Sequence, residues 1–396
     1  MLAYLGGFAL FVLCIGLSLG LHEAGHLLSA KAFGLKVRRY FVGIGPKMFS
    51  FRRGGTEYGV KWIPLGGFCD IAGMTTLDEL TPDEQRRAMY QQKAWKRTAV
   101  MAAGPVTHFL LGFVVLYALA ATLGLPNTTE KPVLASVAGC VADAKTADQV
   151  SHPTCAPGRL GPAEAAGIRS GDEIVAVAGK ATPTWTQMVT TVRAASGPTQ
   201  VDVVRDGRRL SFTVDIPRVE RPGAGKVGAI GATPVSSLQY GPLDAFGATT
   251  DYTGQMFVQT WHKLIEFPQR VPAVVSAIFG GERDPDTPIS VVGASRLGGE
   301  AVQAGLWSLF FLLLAGMNFF LGVFNLLPLL PLDGGHIAII WYERVRDWVR
   351  RLRGMEAGGP VDFTKLATVT MVLVLIGGLF VALTITADIV NPVRLT

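Results

Sequence analysis

From Leu2 to Ala32 the chain is a near-continuous run of Leu, Ala, Gly, Phe and Val, and His22-Glu23-Ala24-Gly25-His26 lies inside it. Apart from that pentad, the stretch to Ser29 carries no Lys, Arg or Asp. Such a run is long enough to cross a bilayer as a helix, which takes roughly 20 apolar residues. Residues four apart share one helix face, so His22 and His26 can offer both imidazoles to a single metal ion. Glu23 then points beside that metal, where a carboxylate can take a proton from water. Ionisable groups at membrane depth are costly and mark function.

Three further stretches reach spanning length: Thr98–Leu125, Ala304–Leu330 and Ala367–Ile389. With 49% hydrophobic residues and a mean hydropathy of +0.36, the 396-residue chain reads as an α-helical polytopic membrane protein with four transmembrane helices. The first stretch is too long, too glycine-broken and too rich in His and Glu to be a cleaved signal peptide. The net charge of +6 is explained by its distribution and not by a nucleic-acid partner. Residues 31–98 hold 13 basic side chains and 336–365 hold six; the 16 in 127–300 are diluted among acids. The positive-inside rule therefore places 31–98 and 336–365 in the cytoplasm, with the middle segment and both termini outside. Cys140 and Cys155 fall in that exterior segment, where a disulfide can persist. Cys14 and Cys69 read as ordinary small residues.

After the first span, aromatic and β-branched runs broken by glycine pairs over 37–63 predict a small β-meander dipping into the membrane, ended by Pro64-Leu65-Gly66-Gly67-Phe68. Thr81-Pro82-Asp83-Glu84 is a capping box that predicts a polar helix through about Lys93. Within 161–180 the pattern is a short helix, a tight turn, then a strand ending at Gly179. A helix over Trp185–Ala195 follows, then a hairpin turning at Asp206-Gly207. This α+β pattern, roughly 130–217, looks like a bacterial PDZ domain, which takes peptide by strand addition. The expected organisation is a membrane part over 1–126, the exterior PDZ-like domain over 127–217, an exterior linker with an amphipathic stretch over 218–303, and a second membrane part over 304–396. The sequence assigns no fold to the linker.

Two histidines leave a catalytic metal one protein ligand short. Asp333 is the expected third, since Pro328 and Pro331 break the end of span three and turn the chain inward. The topology puts His22, His26 and Asp333 at one depth, near the cytoplasmic ends of their spans. His336 reads as a turn-facing or interfacial residue, and His108 as a packing or hydrogen-bonding one. Asn318 and Asn325 can join helices or hold substrate backbone. The substrate-binding positions expected are Asn325, Gly43, Gly45, Pro328 and Pro331.

HEAGH in the first span, the meander closing on Pro64-Leu65-Gly66-Gly67, Ala103-Gly104-Pro105 in span two, the PDZ-like unit and Asn325…Leu332-Asp333-Gly334-Gly335 together resemble the site-2 protease family. The likeness runs along nearly the whole chain, closest to single-PDZ actinobacterial members. It implies a bacterial plasma-membrane enzyme that hydrolyses peptide bonds within the bilayer. The ligands of one Zn2+ would be His22, His26 and Asp333, with Glu23 as general base. It also implies a membrane-reentrant β-hairpin that pairs with unwound substrate. Substrates would be single-span proteins such as anti-sigma factors, already trimmed outside by a site-1 protease. One departure is His108, where many members carry Asn. The competing readings are a PDZ-bearing scaffold without enzymatic activity and a metal transporter, though spans two and four carry few of the polar residues that transport requires.

Overall fold

A computed structural model describes residues 1–396 except 76, 138–139, 147–148, 150–159, 285 and 396. The chain divides into two compact units, Met1–Ala121 with Gly241–Thr396, and Thr122–Tyr240. In the first unit, α1 (Leu2–Ala32) leads into strands β1 (Val37–Arg53) and β2 (Thr56–Ile71), then α2 (Pro82–Arg86) and α3 (Ala94–Thr122). Beyond the second unit come α4 (Pro242–Ile278), α5 (Val291–Gln303), α6 (Trp307–Asn325), α7 (Asp333–Leu352) and α8 (Phe363–Val390). Helices α1, α3, α6 and α8 are long and apolar enough to cross a membrane. Span three is shorter than expected, because the chain leaves the helix at Leu326, ahead of both prolines.

One face of α1 is buried at Phe11, Ile15, Ser18, His22 and His26, a spacing of three and four residues. Leu10, Leu13, Leu17 and Leu28 point outward. Phe11 and Ile15 pack with Phe310 and Leu314 of α6 and with Ala294 and Ala301 of α5. The Phe11 and Phe310 rings meet edge to face at 5.3 Å. Lipid is as apolar as these side chains, so close packing rather than water exclusion drives such contacts.

The hairpin is folded back on itself. Residues 37–42 of β1 pair with 67–71 of β2 on one side, 39–42 pair with 57–60 on the other, and 57–60 pair in turn with 49–52. Gly43 and Gly45 adopt φ +89 at the bend of β1, and a Cβ on Gly43 would lie 2.6 Å from the Ile63 carbonyl oxygen. The strands thus run on to Ile71, past the Pro64–Phe68 stop read from the sequence. The capping box at Thr81 and Glu84 is present, but α2 ends at Arg86 instead of near Lys93. Backbone bonds from Met89 to Ala72 and from Tyr90 to Gly73 pull the chain out of the helix.

The second unit has a four-stranded antiparallel sheet in the spatial order Lys180–Ala181, Glu173–Val177, Gly197–Arg205, Arg208–Ile216. Helices Pro162–Ala165 and Trp185–Ala194 accompany it. Ile168, Ile174, Met188, Val192, Val201, Val203 and Val214 form its core. Asp206 and Gly207 both take positive φ at the hairpin turn, as a two-residue type I′ loop requires. Four short strands between Arg218 and Leu238 also belong here, giving structure to the start of the linker. Cys155, and with it the expected bridge to Cys140, lies outside the described residues.

Candidate metal centre

His22 and His26 lie one turn apart on the buried face of α1, and Asp333 is the first residue of α7. The three converge. Nε2 of His22 is 3.2 Å from Nε2 of His26 and 3.2 Å from Oδ2 of Asp333; His26 Nε2 is 3.3 Å from Asp333 Oδ1. Among the described residues this is the one group of three His, Cys, Asp or Glu side chains with metal-binding spacing.

Local chemistry explains the arrangement. His26 Nδ1 lies 2.7 Å from the Val100 carbonyl oxygen of α3 and donates to it, which leaves Nε2 as a bare lone pair. Pro105 removes the helix bond to the neighbouring Met101 carbonyl. Gly104 makes room for the two imidazoles, since a Cβ there would sit 2.4 Å from His26 Nε2 and 2.7 Å from His22 Nε2. Asp333 is delivered by the turn between α6 and α7. That turn wraps so closely that a Cβ on Gly334 would lie 2.2 Å from the Leu326 oxygen, and one on Gly335 2.6 Å from the Leu329 carbonyl carbon.

Acceptor atoms that face one another at 3.2–3.3 Å repel unless a cation lies between them. A tetrahedral ion with ligands at about 2.0–2.1 Å sets its ligand atoms roughly 3.3–3.4 Å apart, so zinc fits this spacing. Asp333 Oδ2 is buried without a hydrogen-bond donor, as a ligand oxygen would be. Asp333, and not His336, completes the group of three that could hold a metal. The His336 ring stacks near Phe363 at 6.1 Å instead.

Glu23 sits next to His22, His26 and Asp333, and its carboxylate reaches the backbone of Cys69. A Cβ on Gly67 would come within 3.1 Å of Glu23 Cγ. Residues 67–71 pair on one side only, with 37–42 of β1, among the described residues. His108 of α3 is fully buried and bonded through Nδ1 to Asn318 Oδ1 of α6 at 3.0 Å. Asn325 ends α6 half-buried, whereas Pro328 and Pro331 are exposed on the turn beyond it. Gly43 and Gly45 lie at the bend of β1, where their backbone shape already accounts for glycine. Sequence reasoning picked out Ala103-Gly104-Pro105 but not the clearance that Gly104 provides, and it missed the Val100 carbonyl, since a main-chain oxygen does not mark itself in a pattern.

Residues 10–369 match the sequence profile of peptidase family M50. Zinc metalloprotease Rip1 of Mycolicibacterium smegmatis is 48% identical over 404 residues, covering 98% of each chain. Zinc metalloprotease Rip1 of Mycobacterium tuberculosis is 47% identical over 406 residues, covering 99% of each. Zinc metalloprotease RasP of Geobacillus kaustophilus is 26% identical over 432 residues, covering 90% of this chain and 91% of its own. Neither a scaffold nor a transporter is compatible with likeness of that extent, and the protein belongs to peptidase family M50, the site-2 proteases, as a zinc metalloprotease of the membrane.

Proposed function

We propose that His22, His26 and Asp333 hold the catalytic zinc and that Glu23 is the general base of peptide hydrolysis within the bilayer. The convergence of three facing acceptor groups at 3.2–3.3 Å carries this reading. Zinc would polarise the scissile carbonyl and acidify the attacking water. Glu23 takes a proton from that water as the new C–O bond forms. It then delivers the proton to the amide nitrogen as the C–N bond breaks.

The substrates are single-span membrane proteins such as anti-sigma factors, cut first outside by a site-1 protease. A helix hides its carbonyls, so the substrate must unwind before it reacts. The one-sided strand at 67–71 beside Glu23 supports capture of the unwound segment as an added strand. Asn325, Pro328 and Pro331 would contact the substrate from the turn that carries Asp333, and Gly43 and Gly45 shape the sheet. The sheet and two helices of the second unit support a PDZ-like role. That unit would stand outside the cell with both termini and exclude substrates whose outer domain is intact, while loops 31–98 and 336–365 face the cytoplasm.

Glu23→Ala tests the centre of this reading. Purified variant reconstituted with a single-span peptide should keep one zinc per chain and lose cleavage by about 100-fold or more. Cleavage at the wild-type rate would remove Glu23 from the mechanism. Deleting the second unit should release cleavage of untrimmed substrates, and unchanged selectivity would remove the gate.

A further inference from the structure

His108 is placed to do more than pack. It lies one turn after Gly104 on the face of α3 that meets the metal ligands, and its ring centroid is 4.9 Å from that of His22. Its Nδ1 faces Asn318 Oδ1 at 3.0 Å, while Asn318 Nδ2 donates to the Leu314 carbonyl at 2.9 Å. That second bond fixes the amide. Turning it over would set its oxygen against the Leu314 oxygen, so the oxygen must face His108, and Nδ1 must carry the ring hydrogen. Nε2 of the neutral ring is then a bare acceptor. It is buried and has no partner among the described residues.

An acceptor left unpaired in a buried site loses its solvation with nothing in return. The facing ligand atoms of His22, His26 and Asp333 are themselves acceptors, and Nδ1 of the adjacent His22 ring, the one donor nearby when its Nε2 faces the metal, makes no hydrogen bond either. A donor must arrive from elsewhere. His108 is 0% exposed, so the donor has to be as small as a single water, which buried polar atoms without a protein partner commonly hold. The attacking water carries two hydrogens, and Glu23 accounts for one.

We propose that His108 Nε2 accepts a hydrogen bond from the attacking water and so aims its lone pair at the scissile carbonyl. Asn318 acts through His108 as a positioning residue that selects the tautomer. No proton moves to His108; the hydrogen it holds stays on the oxygen that becomes part of the new carboxylate product. The proposal rests on the hydrolytic reading of the site.

The test uses full-length protein in lipid, as wild type, His108→Ala, His108→Phe, Asn318→Leu and the His108→Ala, Asn318→Leu double variant. Phe keeps the ring volume without nitrogen, which guards against collapse in the alanine variant. Zinc content, cobalt-substituted visible spectra, kcat and KM are measured for each, and histidine nitrogen NMR on wild type identifies the tautomer. Expected are hydrogen on Nδ1 in wild type, one zinc per chain throughout, and four-coordinate cobalt bands of unchanged intensity. Each single variant should lose about 10–100-fold in kcat with little change in KM. The double variant should be no slower than the slower single. Hydrogen on Nε2, loss of zinc in both His108 variants, wild-type kcat in both, or losses that multiply in the double variant would each overturn the proposal. Wild type without bound zinc would sink the hydrolytic reading as well. Intact zinc and Glu23-dependent cleavage with unaltered His108 variants would sink this proposal alone.

Discussion

Glu343 of α7 accepts a hydrogen bond from Arg97, in the first turn of α3, at 2.7 Å, and both side chains are about nine-tenths buried. The other carboxylate oxygen of Glu343 accepts from the Val361 amide, just ahead of α8, at 2.8 Å. One side chain thus ties together two spans and the helix that begins with Asp333. Removing one partner of a buried pair strands the other charge and costs about 3–5 kcal/mol. Glu343→Ala and Arg97→Ala should therefore lower thermal stability by that order and weaken zinc retention, because α7 is freed to carry Asp333 away. The reversed pair, Arg97→Glu with Glu343→Arg, should recover only part, since the Val361 amide loses its acceptor. Unfolding in detergent with zinc analysis checks this, and full zinc retention in Glu343→Ala would sever the pair from the site.

Gly104 offers a sharper probe, because it touches the ligands and nothing about its chemistry is catalytic. A methyl group there would sit 2.4 Å from His26 Nε2 and 2.7 Å from His22 Nε2, distances no carbon tolerates. The imidazoles must move or α3 must withdraw. Gly104→Ala should weaken zinc affinity by about 10–100-fold while the far ends of the spans keep their packing. Competition with a chelator of known affinity measures the change, and wild-type affinity would show that α3 can recede freely.

The shared face of His22 and His26 on α1 was legible because a helix has one period, and the two fit it without help from the rest of the molecule. The Asp206-Gly207 hairpin was legible for the same reason: its turn is set by two residues. What local pattern could not supply was decided by packing. Thr81 and Glu84 do cap a helix, yet tertiary bonds to Ala72 and Gly73 end it after five residues. The linker, to which the sequence assigns no fold, carries Pro268 and Pro272 inside the 37-residue α4. That helix is held along its length by Phe257 against Phe109 and Phe319, and by Phe267 against Phe380. Asp333 is intermediate. Its type and depth pointed to the metal, but its arrival there depends on glycines that let the 326–332 turn close over α7.

Acid should open one loop before the rest. Arg38 binds Glu84 through two nitrogens at 2.8 and 3.0 Å and also reaches Asp78 and the Glu79 carbonyl. The Arg38 guanidinium, with help from the Thr81 amide, pulls the Glu84 carboxyl down to about 2 from its ordinary 4.5. A carboxylate held below its unfolded value stabilises fully above that value and loses its contribution as pH falls through the folded one. Hydrogen exchange over 78–86 should stay slow from neutral pH to about 5 and quicken between 4.5 and 2. In Arg38→Ala it should be fast at neutral pH already. A wild-type loop whose exchange, corrected for intrinsic rates, ignores pH over that window would rule out the pair as its anchor.

Metal removal should be felt by the fold as well as by the chemistry. His22, His26 and Asp333 come from α1 and α7, far apart in sequence, and their facing acceptor atoms at 3.2–3.3 Å repel once no cation lies between them. A ligand that binds only the folded state stabilises it in proportion to the logarithm of its excess over Kd, about 4 kcal/mol at a thousandfold excess. Stripping zinc from wild type should lower the unfolding temperature, and adding zinc back should restore it. The double variant His22→Ala, His26→Ala has no pair to bridge, so its unfolding temperature should not respond to chelator or to added zinc. A wild-type unfolding temperature that stays put after complete stripping at pH 8 would mean the three side chains hold their places without an ion.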